Sequence, residues 1–272
     1  MKIGLVQVTS GEDVGANLTS TRNALRAAAA GGAEFVLTPE VTNLLSSSRR
    51  TQEAQISHEE DCAFLREIQE EARALGIWVL LGSLAVKTHD PDGRFANRSF
   101  LISPLGQITA RYDKIHMFDV EINAQESYRE SAHYRPGEQA VLAETDFARI
   151  GMTICYDIRF PHLYRQLAQN GAEILTVPAA FSPVTGAAHW ETLLRARAIE
   201  TGCFVLAPAQ CGQNTEKRAT FGHSLVVAPW GEILADGGKK PGVTLVDIDL
   251  DEVKRARARV PSLTHDRKYE GP

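Results

Sequence analysis

The chain has 272 residues, 43% of them apolar and 23% charged, with a mean hydropathy just below zero; this composition supplies a large buried core and excludes disorder. Its 29 basic and 34 acidic residues leave a formal charge of −5, and the one dense basic run, residues 254–259, has little aromatic interleaving, which argues against nucleic acid as a partner. Four cysteines with no Cys-x-x-Cys pair read as reduced thiols, and no apolar stretch approaches the length of a membrane span, so the expectation is one domain, residues 1–272, in the cytoplasm with no membrane partner.

The first predicted strand is residues 2–8, too short for a signal segment and rich in apolar residues. An Ala-rich helix follows over 17–30, stopped by Gly31-Gly32, and then a strand over 34–38. After a polar stretch the segment 58–75 places Phe64, Leu65, Ile68, Ala72 and Leu75 on one helical face, with Gly76 as the stop and a buried strand over 77–84. Two β-rich runs around Ser103-Pro104-Leu105-Gly106 predict a hairpin over 97–112. Further strands are expected at 147–154, 173–177, 203–207, 223–228 and 243–248, with helices at 161–170 and 188–201. So many strands with few helices fit a four-layer α-β-β-α sandwich, since each sheet must bury one face on its partner and the other on helices. A single doubly wound sheet is less economical, because the hairpin and the consecutive C-terminal strands need no crossover.

Three strand ends carry reactive side chains. The run Ile150-Gly151-Met152-Thr153-Ile154 ends at Cys155, where a helical segment is about to begin. A thiol in an apolar stretch is more often a small core residue, yet strand ends are where α/β folds place nucleophiles. Leu37-Thr38-Pro39 ends at Glu40, a solvated loop residue unless a nearby thiol needs a base. Lys114 ends the hairpin among bulky apolar residues; turned into a closed cavity, its ammonium stabilises an anionic intermediate and lowers the pKa of a neighbouring thiol.

The segments 37–40, 112–119 and 151–161, in that order, closely resemble the signatures of the nitrilase, or carbon–nitrogen hydrolase, superfamily. The resemblance implies the α-β-β-α sandwich, a catalytic triad of Glu40, Lys114 and Cys155, and a homodimer or larger homo-oligomer joined through helical faces. It also implies that Glu130, ahead of Pro136-Gly137, supports Lys114, and that Phe181, in the matching stretch 180–190, lies at the substrate. Cys155-Tyr156-Asp157-Ile158-Arg159-Phe160-Pro161 is similar to the Nit-type amidases, whereas true nitrilases carry tryptophan and glutamate after the cysteine. Within that branch, residues 184–186 and 210–212 look more like deaminated glutathione amidases than omega-amidases acting on 2-oxoglutaramate; Asp113 departs from the arginine of many relatives.

The expected chemistry is hydrolysis of a small carboxylated amide through a thioester. Glu40 takes and returns the proton, while Lys114 and the backbone N–H of Tyr156 hold the oxyanion. Arg159, four residues past the thiol, is the expected partner of a substrate carboxylate, with a structural ion pair as its alternative role. No cofactor or metal is expected, since no histidine or cysteine spacing closes a zinc site. His116, His189 and His223 read as structural, Cys62 and Cys203 as core, and Cys211 as a residue at the pocket mouth. A non-catalytic scaffold and a redox thiol protein are the rival classes; the intact Glu, Lys and Cys set weighs against the first and the lack of a nearby resolving cysteine against the second.

Overall fold

A computed structural model describes residues 1–124 and 126–271. It contains two six-stranded mixed sheets. The first runs, in spatial order, Gly242–Asp247, Lys2–Gln7, Phe35–Leu37, Trp78–Lys87, Phe95–Ile102 and Ile108–Asp113. The second runs Ile233–Asp236, Leu225–Val227, Phe204–Ala207, Ile174–Thr176, Arg149–Met152 and Val141–Glu144. Three parallel strands sit inside each sheet, flanked by antiparallel ones.

Side-chain alternation shows the layering directly. In the first sheet Ile3, Leu5, Phe35, Leu37 and Leu80 join Ile150, Met152 and Val205 of the second in one core. Their neighbours Val6, Val36, Val79 and Leu81 point the other way, onto Leu25 and Ala28 of the helix Val14–Ala30 and Phe64, Leu65 and Ile68 of the helix Ala63–Leu75. The helices Pro161–Gln169 and Pro183–Thr201 cover the second sheet through Leu163, Leu167, Leu194 and Ala198. This is the expected four-layer sandwich, and the doubly wound alternative falls because one sheet is not enough to explain two sets of buried faces.

The predicted hairpin forms between Phe95–Ile102 and Ile108–Asp113. Several elements differ from expectation, among them the strands Val141–Glu144 and Ile233–Asp236 and the helix Asp251–Arg259, none of which is among the predicted elements. The long helix predicted from residue 58 begins only at Ala63, behind a short turn at Glu59–Asp61, so that Cys62 precedes it as a buried N-cap residue. The polar stretch after Ser46 holds a helix, Arg49–Gln55, capped by the Ser48 side chain accepting from the Thr51 N–H. Two small hairpins outside the main sheets, Asp119–Asn123 with Glu126–Arg129 and Cys211–Thr215 with Arg218–Phe221, are likewise not predicted; their strands are only four or five residues long.

Candidate active site

Glu40, Lys114 and Cys155 all follow strand ends on the same edge of the two sheets, and the structure gathers them in a cavity of about 460 Å³. All three are buried, at 4%, 2% and 8% exposure. The Nζ of Lys114 donates to Glu40 Oε1 at 2.8 Å and to Glu130 Oε2 at 2.8 Å, so one ammonium bridges two carboxylates. Glu40 is held further by the Ala180 N–H on Oε2 at 2.9 Å and by the Asn97 side-chain amide on Oε1 at 2.9 Å. Glu130 accepts from the Phe118 N–H at 2.7 Å.

The local backbone explains this convergence. Cys155 has φ 49°, a left-handed conformation that costs a non-glycine residue on the order of 1–3 kcal/mol. Its N–H donates to Pro178 O at 2.9 Å, and buried Asp157 fixes the turn by accepting from the Ile154 N–H at 2.8 Å, the Tyr112 hydroxyl at 2.7 Å and the His116 N–H at 3.1 Å. The His116 ring nitrogen Nδ1 lies 2.7 Å from the same carboxylate, consistent with the structural part read for it in the sequence. Lys114 is placed by its N–H donating to Asn97 O at 3.0 Å and by Gly137, whose N–H donates to Lys114 O at 2.8 Å. A side chain at Gly137 would begin 2.2 Å from Asp113 O, so glycine there permits the close approach.

Charge and burial set opposing protonation tendencies. Burial alone would raise the Glu40 carboxyl, but the Lys114 ammonium, by its charge and hydrogen bond, outweighs it and holds Glu40 below the usual carboxylate range. Burial disfavours the Lys114 charge, yet Glu130 and Glu40 hold the ammonium well above its ordinary value. Cys155 goes the other way from the sequence expectation: burial and then the negative charge of Glu40 push the thiol well above its ordinary value, and the opposing Lys114 charge does not reverse this. The resting site is therefore a neutral thiol beside a carboxylate base.

Phe181 and Tyr156 line the cavity, as do Leu45, Ser46 and Gln52 from the segment around the Arg49–Gln55 helix. Arg159 is not in the wall. Its guanidinium carbon lies 5.9 and 5.8 Å from the ring centres of Tyr156 and Phe181, and its Nη2 lies 3.2 Å from His189 Nδ1. Cys211 is also absent from the cavity; it is fully buried near the Thr9 hydroxyl, so the expected place at the pocket mouth is corrected. Sequence reasoning missed Asn97 and Arg218, both of which line the cavity. A buried asparagine inside an apolar strand such as Phe95–Ile102 was the available signal for the first, because an amide there needs partners. Away from the cavity, His58, Glu60 and His89 bring ligating atoms within 4.8 Å of one another, but the two imidazoles are stacked 5° from parallel, which does not aim their nitrogen lone pairs at a common point.

The cavity brings together a thiol, a carboxylate and an ammonium, the groups that attack on an amide carbonyl requires. The chain belongs to the carbon–nitrogen hydrolase family, whose model matches residues 2–258. It is 40% identical over 266 residues to the deaminated glutathione amidase of Yersinia enterocolitica, covering 97% of this chain and 92% of that one. Among solved structures, the NitFhit protein of C. elegans superposes with a TM-score of 0.91 at 35% identity over 98% of this chain; this chain spans only 65% of that longer protein. A glutamate-to-glutamine mutant of an amidase from Nesterenkonia sp. AN1, with acrylamide added at its active-site cysteine, superposes with a TM-score of 0.78 at 27% identity over 96% of this chain and 98% of that one.

Proposed function

We propose that this enzyme is a deaminated glutathione amidase in which Cys155 is the nucleophile, Glu40 the proton shuttle and Lys114 the oxyanion partner. The observation that carries the chemistry is the buried Lys114 ammonium held between Glu40 and Glu130 in the cavity that also receives Cys155. The neutral thiol passes its proton to Glu40 as its sulfur attacks the amide carbonyl. The carbonyl oxygen becomes an anion, stabilised by Lys114 and by the Tyr156 N–H, which lies in the first turn of the short helix Cys155–Arg159 and has no acceptor within that turn. Protonated Glu40 then gives its proton to the leaving nitrogen, and the C–N bond breaks to leave a thioester. Water, deprotonated by Glu40, attacks the thioester; its proton returns to the sulfur as the C–S bond breaks and the acid departs. Glu130 touches no reacting atom in this scheme and positions Lys114.

Deaminated glutathione is favoured as substrate by the relatives at about 40% identity that carry that activity in their names. We also place the enzyme in the cytoplasm, where its four free cysteines stay reduced, and infer a homo-oligomer joined through helical faces; Val184 and Ile199 on the helix Pro183–Thr201 are 52% and 55% exposed. The test is release of 2-oxoglutarate from deaminated glutathione and from 2-oxoglutaramate, side by side, with the wild type and Cys155→Ala. Faster release from the first amide, lost in the variant, is expected; equal or faster turnover of 2-oxoglutaramate would assign the omega-amidase activity instead. No release from either would overturn both substrate readings.

A further inference from the structure

The active-site cavity contains a cation that the hydrolytic chemistry leaves unused. Lys114 is already flanked by two carboxylates, so its charge is not available to a third. Arg129, on the same wall, is ion-paired with Glu121 at 2.9 Å. Arg159 is not among the residues lining the cavity and sits over the rings of Tyr156 and Phe181, beside His189. Arg218 is different: it opens the strand Arg218–Phe221, lines the cavity, and has no carboxylate partner among the described residues. Its remaining contacts are weak, an Nη2 donor 3.5 Å from Ala180 O and a guanidinium carbon 5.7 Å from the Tyr128 ring centre.

Its place is close to the chemistry. Ala180, whose carbonyl faces Arg218, is the residue whose N–H holds Glu40 Oε2. The positive charge of Arg218 is felt by Glu40 as well as by Tyr128 and Tyr134, which marks its reach across the cavity. A half-buried guanidinium left without an anion in the active-site cavity offers a planar fork of donors whose natural complement is a carboxylate. Lys217, its neighbour, adds a second cation on the same wall.

We propose that Arg218 is the receptor for a substrate carboxylate and selects carboxylated amides over neutral ones. The assignment rests on the amidase reading above and names a residue other than Arg159 for the part. It acts on binding and on alignment of the scissile carbonyl with Cys155. The same chemistry fits a carboxylate on the acyl side of the amide or one on the leaving amine, and separate substrates tell them apart.

Two measurements on the wild type, Arg218→Met and Arg218→Lys test it. In the first, acrylamide alkylates Cys155 while 2-oxoglutarate protects, and each protection constant is normalised to that variant's own unprotected rate. Protection is expected to weaken roughly 10- to 100-fold in Arg218→Met, the size of a charge-assisted hydrogen bond, and to recover partly in Arg218→Lys. Absence of protection in the wild type, or equal protection in wild type and Arg218→Met, overturns the assignment. In the second, kcat/KM is compared for succinamate, N-butyrylglycine and butyramide. A fall in the succinamate-to-butyramide ratio places the carboxylate on the acyl side, and a fall in the N-butyrylglycine-to-butyramide ratio places it on the leaving side. Equal losses on all three amides overturn selectivity. A wild type that turns over no amide yet shows Arg218-dependent protection defeats the amidase reading, and with it the selection among amides, while supporting Arg218 as the carboxylate receptor of the cavity.

Discussion

The ammonium of Lys114 lies 2.8 Å from Glu40 Oε1, and this contact makes Glu40 a base while it remains buried. Burial would otherwise protonate the carboxyl, and a protonated Glu40 could not accept the thiol proton. Burial, and after it the negative charge on Glu40, holds the Cys155 thiol well above its ordinary pKa.

Glu40→Gln should therefore separate two reactivities. Amide turnover needs a proton shuttle, and its loss is expected to lower kcat by about 10²- to 10⁴-fold. Removing the charge also relieves one of the causes that raise the Cys155 pKa, leaving Lys114 to favour the thiolate. Adduct formation with acrylamide should then persist in the variant, since this addition needs the sulfur as nucleophile but no proton delivered to a leaving amine. Mass spectrometry of the acrylamide-treated variant checks this; an unmodified Cys155 would show that Glu40 is needed for attack on any electrophile.

The pH dependence follows from the same pair. Activity requires ionised Glu40, whose pKa is depressed, so the acid limb of kcat/KM is expected below the ordinary glutamate value. For stability the sign is the same: a depressed carboxylate contributes above its unfolded pKa and that contribution is lost as pH falls through the folded value. Lys114 behaves oppositely, contributing below its unfolded pKa and losing that contribution as pH rises through its raised folded value. Asn97→Leu removes the amide donor 2.9 Å from Glu40 Oε1, and because that hydrogen bond favours the charged form, the acid limb should move upward. A merely structural part for Asn97 would lower kcat/KM without moving the limb.

Asp157 is the anchor of the nucleophile turn. Asp157→Ala leaves the Ile154 N–H, the His116 N–H and the Tyr112 hydroxyl without their acceptor, at roughly 1–3 kcal/mol for each group left buried and unpaired. A loss of at least about 3 kcal/mol is expected in reversible chemical denaturation, together with loss of turnover as Cys155 leaves its left-handed conformation. Wild-type stability in the variant would show that Pro178 alone holds the turn.

The strand ends at Glu40, Lys114 and Cys155 were visible in the sequence, but their grouping as a triad came from the resemblance of segments 37–40, 112–119 and 151–161 to the carbon–nitrogen hydrolase signatures; the layers were legible because strand alternation sorts residues such as Leu5 and Val6 to opposite faces. What escaped depends on distances that no local pattern contains. Asn97 reaches Glu40 from a separate chain segment, and Arg218 opens a short strand of a small hairpin outside the main sheets, so neither period nor composition points it toward the cavity. The high pKa of Cys155 is likewise a balance between burial and two opposite charges, which residue types alone do not decide.

That dependence on close approach is sharpest at Gly82, on the strand Trp78–Lys87 beneath Glu40. A Cβ there would begin 1.9 Å from Thr38 O and 2.5 Å from Pro39 O, both backbone atoms, and 2.6 Å from Pro178 Cβ. The first two lead directly into Glu40, and Pro178 accepts the Cys155 N–H, so Gly82→Ala pushes on both reactive side chains at once. The Gly82 N–H also donates to Thr38 Oγ1 at 3.0 Å, which ties the two strands at this point. Overpacking of this kind costs about 1–3 kcal/mol, a loss the fold can absorb, whereas a displacement near 1 Å at a reactive group costs on the order of 10²-fold in rate. Gly82→Ala is therefore expected to fold with reduced stability and to lose kcat far more than its melting behaviour suggests. Steady-state kinetics beside thermal unfolding decide it: a variant with wild-type kcat would mean that the strand moves away from Thr38 and Pro39 without disturbing Glu40.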